Sequence, residues 1–218
     1  MSNELVKSDG SAIANLVKNA KLTAKLSPIQ ERLIVLLDAS GSMTSPAYTG
    51  AGIVAKTKWG AALEATKELL NSCSPATIAK VITFSNDICD ETEFGPPKSI
   101  ASKLETLKAE FSGTIMSSSL QKSFKILAED KMQVRRIIVM TDGQTCEAQK
   151  CLDIATNCKK NNIIIDAVSF GPDADQGFMQ LLASNSGGQH KFAKDTTELV
   201  KQFKLLEAKQ RGLLMGRR

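Results

Sequence analysis

Strand-like apolar runs, recurring with helical stretches between them, constrain this chain most. "RLIVLL" (32–37) is continuously apolar, which suits a strand covered on both faces. "TIAKVITFS" (77–85), "RRIIVMTDG" (135–143) and "IIIDAVSFG" (163–171) read as further strands. Between them, Trp59, Ala62, Leu63, Thr66, Leu69 and Leu70 recur at helical spacing, as do Met116, Leu120, Phe124 and Leu127. Further helices are expected at about 99–110, 146–160, 175–185 and from Asp195 onward, where Asp195 and Glu198 have capping-box spacing. "HKFA" (190–193) reads as a short strand. "DICDETEF" (87–94), polar and stopped by Pro96-Pro97, reads as an edge strand. Strands alternating with helices predict an α/β fold with a mainly parallel sheet and right-handed crossovers. With 218 residues, 42% of them hydrophobic, the chain can bury the core of one domain without disulfides.

Two of these strands end in acids, Asp38 and Asp142. In a doubly wound sheet, ligands bind outside the carboxyl ends of the strands, where the strand order reverses. That rule brings Asp38 and Asp142 together if their strands are neighbours. Two adjacent carboxylates repel, and one must protonate unless a cation lies between them. Small hydroxyl residues follow Asp38 at every second position, Ser40 and Ser42. Carboxylates with neutral hydroxyls suit a hard cation such as Mg²⁺, with waters completing its shell. Two other readings compete. Asp and Ser also favour an ordinary capped turn. "GAGIVA" (50–55) imitates a dinucleotide-binding fingerprint, but it lies well past the strand end and no acid follows at the end of a second strand.

Asp38-Ala39-Ser40-Gly41-Ser42 resembles the D-x-S-x-S motif that opens the metal-ion-dependent adhesion site (MIDAS) of von Willebrand factor A domains. "SGTIMSSSL" puts Thr114 where the family has a threonine in a glycine-flanked loop before a helix, and Thr141-Asp142-Gly143 matches its strand ending in T-D-G. The resemblance spans about 31–205 and leaves an N-terminal helical extension (1–30) and a basic C-terminal tail (206–218). It implies a Rossmann-like three-layer sandwich, doubly wound, with one antiparallel edge strand. It further implies a metal site, Mg²⁺ or Mn²⁺, at Asp38, Ser40, Ser42, Thr114 and Asp142. Ser40 and Ser42 would bind directly, Thr114 directly or through water, and the two aspartates mostly through water. Neutral ligands leave the ion electrophilic, so a protein partner's Glu or Asp completes its shell. The resemblance thus implies a non-enzymatic interaction module, of the kind that works beside ATPases or in bacterial stress systems. The chain departs from the family in a long 43–58 loop, rich in Gly, Ser, Thr and Ala, and in an amphipathic helix at 9–26.

The rival class is a metal-dependent phosphoester hydrolase on the same cluster. It needs a base, a nucleophile or a second ion near the metal, and no histidine or D-x-D motif lies near these residues. A fold that keeps the ligands without using the metal is a third reading. His190, the one histidine, is expected to be structural, since no G-x-S-x-G elbow exists. Asp166, inside an apolar strand, is expected at a helix end or facing solvent near an edge. No two of the five cysteines have C-x-x-C spacing, and Cys151 and Cys158 share an apolar stripe with Ala148, Leu152 and Ala155. Free thiols, no secretory h-region and no membrane-length apolar run predict a cytoplasmic protein with no membrane partner. The net charge of +5 is mild. The tail from Lys201 to Arg218 has six basic residues against Glu207, with Phe203 its one aromatic and no series of them for base stacking, so it reads as a solvated helix face and nucleic acid is not indicated.

Overall fold

The computed structural model describes residues 29–51 and 54–216. The helix expected at 9–26 lies outside the described residues. The elements run β1 (Glu31–Asp38), a 3₁₀ turn (Gly41–Thr44), β2 (Pro46–Tyr48), β3 (Val54–Thr57), α1 (Lys58–Ser72), β4 (Thr77–Phe84) and β5 (Ile88–Glu91). They continue with α2 (Pro97–Ala101), a 3₁₀ turn (Leu104–Thr106), α3 (Ser117–Glu129), β6 (Val134–Thr141) and α4 (Ala148–Lys160). The last are β7 (Ile163–Phe170), α5 (Gln176–Ser186), β8 (His190–Ala193) and α6 (Thr196–Gly216).

Six strands form one sheet in the order β5-β4-β1-β6-β7-β8. Every pairing is parallel except β4 with β5, which is antiparallel at the edge. Helices cover both faces, so the protein is a three-layer α/β sandwich. β1 shows how the layers are assigned. Leu33, Val35 and Leu37 face a core with Ala62, Ala65 and Leu69 of α1 and with Leu199 and Phe203 of α6. Ile34 and Leu36 face the opposite core, with Leu120 and Leu127 of α3, Cys151 and Ile154 of α4, and Met179 and Leu182 of α5. Successive side chains point to opposite faces, and both faces are buried. That is why the run reads as continuously apolar.

Leu36 has no exposed surface. Leu36→Ala is therefore expected to cost about 2–5 kcal/mol, readable in a urea melt. Cys151 and Cys158 belong to the same core, and burial pushes each thiol up to about 12, so they pack as small apolar groups.

Two stretches differ from expectation. The 43–58 loop contains an antiparallel ribbon, with Ala47 paired to Lys56 and Tyr48 to Val54. The helix expected at 99–110 is cut to α2 and a single 3₁₀ turn. Its second half and the residues just after it are drawn out to hydrogen-bond elsewhere. Thr83 Oγ1 donates to the Lys108 carbonyl (2.9 Å), Phe111 N to Ala39 O (2.9 Å) and Gly41 N to Ser112 O (2.7 Å). Lys108 N also donates to Asp90 Oδ2 (3.0 Å), so both its backbone groups are engaged outside a helix.

The buried acid Asp166 is a correction. It does not face solvent: its Oδ1 accepts from Gln189 N, just past the end of α5, at 2.8 Å, and its Oδ2 from Arg136 Nε at 2.7 Å, with the Asp166 and Arg136 side chains both buried. Arg136 Nη1 also pairs with Glu31 (3.5 Å) and with Glu207 of α6 (3.2 Å). Burial opposes the charge on Arg136, but Asp166, Glu31 and Glu207 outweigh it and hold the guanidinium above its ordinary value. Glu207 is thus buried beneath α6 rather than lying on a solvated face.

Candidate metal centre at the strand ends

β1 and β6 are neighbours, with Leu37 opposite Met140. Asp38 and Thr141-Asp142 therefore leave the sheet side by side, the condition the sequence left open. The connection from β1 passes to the α1 face and that from β6 to the α4 face, so their ends open a crevice.

Each functional side chain is fixed by its strand end. The Asp38 carboxylate accepts from the Ser40 N–H at 2.7 Å through Oδ1, and from the Thr141 hydroxyl through Oδ2. The backbone thereby turns sharply, and Ser40 and Ser42 come to the same side, their hydroxyl oxygens 3.0 Å apart. The Ser42 hydroxyl donates to Asp142 Oδ1 at 2.6 Å. With that hydrogen committed, Ser40 is the donor to Ser42, and lone pairs on both oxygens stay available.

Thr114 arrives on the 111–115 loop, held by the end of β4. Ile115 N donates to Ser85 O (2.7 Å), and Ser112 N to Ser85 Oγ (3.1 Å). A β-carbon at Gly143 would lie 3.6 Å from Thr114 Oγ1 and 4.0 Å from Ser42 Oγ, so both hydroxyls border that glycine. Gly41 is the more constrained, because a β-carbon there would stand 3.2 Å from the Phe111 carbonyl oxygen. Beside this contact the Phe111 ring meets Trp59 edge-on, centroids 6.1 Å apart.

The structure thus brings Asp38, Ser40, Ser42 and Asp142 into one hydrogen-bonded cluster, with Thr114 at its border. Asp38, Ser40 and Asp142 are buried, Thr114 is half-buried and Ser42 is exposed. The carboxylates and Ser40 form the buried end of the cluster, and Ser42 and Thr114 its more open side. Burial raises the Asp38 carboxyl above the ordinary carboxylate range, with the Asp142 charge adding to it. Hydrogen bonds from Thr141 and Ser40 offset part of the rise. A cation over this cluster would relieve that cost. Among the described residues no group of three or more His, Cys, Asp or Glu side chains comes together to hold a metal. A donor set of two acids and three hydroxyls fits a divalent ion held largely by neutral oxygens.

Sequence reasoning missed Lys58. Its ammonium pairs with Asp142 Oδ2 at 2.6 Å, both side chains largely buried. A signal was present: Lys58 opens α1, whose first turn holds no acid, and a cation there faces the positive end of the helix dipole. His190 lies apart from the cluster in β8, sharing a 2.8 Å hydrogen bond with Ser169 Oγ, as a structural histidine would.

A family model described as von Willebrand factor type A domain matches residues 33–144 of the 218. No curated protein sequence matches this chain. Similar solved structures include the conserved hypothetical protein BatB from Bacteroides thetaiotaomicron, with TM-score 0.70 and 16% identity over 83% of this chain and 98% of that one. A von Willebrand factor type A protein from Catenulispora acidiphila has TM-score 0.66 and 20% identity, covering 86% of this chain and 43% of that one. Proximal thread matrix protein 1 from the mussel byssus, described with a zinc-occupied MIDAS motif, has TM-score 0.66 and 16% identity over 88% and 50%.

Proposed function

This chain belongs to the von Willebrand factor type A family, and on that premise we propose that it is a metal-dependent protein-interaction module. Asp38, Ser40, Ser42, Thr114 and Asp142 would hold one divalent ion, Mg²⁺ or Mn²⁺. When bound, the ion offers an electrophilic position that a carboxylate from a protein partner fills. One observation carries the reading: buried carboxylates lie beneath two hydroxyl oxygens 3.0 Å apart, on the open end of the sheet. Ser40 and Ser42 present neutral oxygens, so they leave the ion its charge. Asp38 and Asp142 balance that charge from below and orient the serines, Asp38 through the Ser40 N–H and Asp142 through the Ser42 hydroxyl.

Among the described residues no helix is long and apolar enough to cross a membrane. All five cysteines are free thiols, which supports a reducing, cytoplasmic setting. A bacterial stress response or an ATPase-associated complex is the process the family resemblance brings with it, and the captured partner would test it.

The deciding experiment is affinity capture with the full chain in Mg²⁺ and in EDTA, with Ser42→Ala alongside. Ser42 is exposed, so its replacement leaves the fold intact. A partner retained in Mg²⁺, released by EDTA and lost with Ser42→Ala is the expected result, and mutation of one acid in that partner should reproduce the loss. Retention unaffected by EDTA and by Ser42→Ala would defeat the proposal. Metal-dependent hydrolysis of a general phosphoester, lost with Asp38→Ala, would put the hydrolase in its place.

A further inference from the structure

Lys58 occupies an unusual position for a lysine. It is the first residue of α1, and its backbone N–H donates to the Ser45 carbonyl at 2.9 Å, anchoring it to the end of the 3₁₀ turn. From there its side chain passes Gly171, at the end of β7, where a β-carbon would stand 3.5 Å from both Cε and Nζ. It ends on Asp142 Oδ2, with only 11% of the lysine side chain and none of the aspartate side chain exposed. A lysine at the positive end of a helix and largely out of water has two costs to offset. Asp142 offsets both.

The consequence falls on the metal site. Asp142 has one oxygen engaged by the Ser42 hydroxyl and the other by the Lys58 ammonium. The cluster therefore already contains one cation, fixed to the chain, on an aspartate that the family pattern places behind the metal. We propose that Lys58 is an internal counter-cation of this site, which keeps it assembled without metal and weakens its divalent-ion affinity by competing for Asp142. This rests on the metal-binding reading above and adds to it a residue that sets the affinity. A bound divalent ion would repel the ammonium, so Lys58 must leave Asp142 or share it at a loss. Without metal, Lys58 keeps its ammonium 2.6 Å from Asp142 Oδ2, and the Ser40–Ser42–Asp142 chain of hydrogen bonds stays in place. Partner capture then becomes graded by metal concentration instead of being fixed by a permanently held ion.

The test is titration of the metal-free full chain with Mn²⁺ by calorimetry and electron paramagnetic resonance, with four proteins. These are wild type, Lys58→Met, which removes the charge at similar length, Lys58→Gln, which keeps a donor for Asp142, and Lys56→Met. Lys56 pairs with Glu64, so its replacement lowers the net charge equally without touching Asp142. Lys58→Met and Lys58→Gln are expected to tighten the Mn²⁺ Kd by about tenfold, equivalent to about 1.4 kcal/mol, and Lys56→Met to leave it near wild type. Both Lys58 variants should also melt below wild type in EDTA. Binding by the Lys58 variants where wild type binds none would support the proposal in its strongest form. Equal Kd values for wild type and the Lys58 variants would overturn it while the metal reading stood. So would an equal tightening by Lys56→Met, which would make the effect one of overall charge. No binding by any folded variant would overturn both.

Discussion

Replacing Arg136 by methionine is expected to lower the unfolding free energy by about 3–5 kcal/mol, a drop of about 6–20 °C in Tm for a chain of this size. The loss does not come from the ion pairs being strong. A buried pair exchanged whole for apolar groups is often neutral, because desolvation offsets attraction. It comes from what remains. Arg136, 1% exposed, receives carboxylates from β1 (Glu31), β7 (Asp166) and α6 (Glu207). Without the guanidinium these acids stay buried beside one another and must take up protons or draw in water. In the variant, stability is therefore recovered as pH falls toward the ordinary carboxylate range and lost as pH rises above it. Urea melts at pH 7 and pH 5 check both points: the deficit should be large at pH 7 and smaller at pH 5. A deficit under about 1 kcal/mol at pH 7 would show that the acids find other compensation. Neutralising all three in the Arg136→Met background should recover part of the loss.

This network shows where legibility in the sequence stops. β1, β4, β6 and β7 could be read because a strand covered on both faces leaves a local signature, a run without polar alternation. Asp38 and Asp142 could be placed because each closes such a run, and the neighbouring of β1 and β6 supplied the rest. Arg136 and its acids left no local signature, since Glu207 lies 71 positions from Arg136 and Glu31 lies 105 away. Asp166 was read by the cost of its charge, yet the residue that meets the cost is one strand over. Lys58 escaped for the same reason, its partner being 84 positions on. The β2–β3 ribbon was missed differently: "AYTGAGIVAKT" carries small residues with no clean period. The 99–110 helix failed because Lys108, Phe111 and Ser112 are wanted by the sheet end and the D-x-S-x-S turn.

Saturating the protein with Mg²⁺ is expected to stabilise it, and the gain should vanish when single oxygen donors are removed. At a free Mg²⁺ concentration a hundredfold above Kd, binding to the folded state alone contributes about 2.7 kcal/mol, or about 5–11 °C in Tm at this chain length. Asp142→Asn keeps the shape of the side chain and can still accept from Ser42, but it removes one of the two negative charges. Ser42→Ala removes an exposed oxygen that bridges Ser40 and Asp142 at 3.0 and 2.6 Å. Both should fold and show little metal-dependent shift. Asp38→Ala should lose the shift too, and should also melt lower in EDTA, because it strips the turn of the acceptor for Ser40 N–H and the Thr141 hydroxyl. The variants thereby separate two roles that lie within a few ångströms: Ser42 acts on the ion, whereas Asp38 acts on the ion and on the turn. Differential scanning fluorimetry in Mg²⁺, Mn²⁺ and EDTA reads all of this in one series. A Ser42→Ala protein that keeps the full wild-type shift would remove Ser42 from the ligand set. No shift in wild type and in Lys58→Met alike would remove the metal. Asp142 would then serve only as the buried acceptor for Lys58 and Ser42, and an interaction through this face would have to be independent of EDTA.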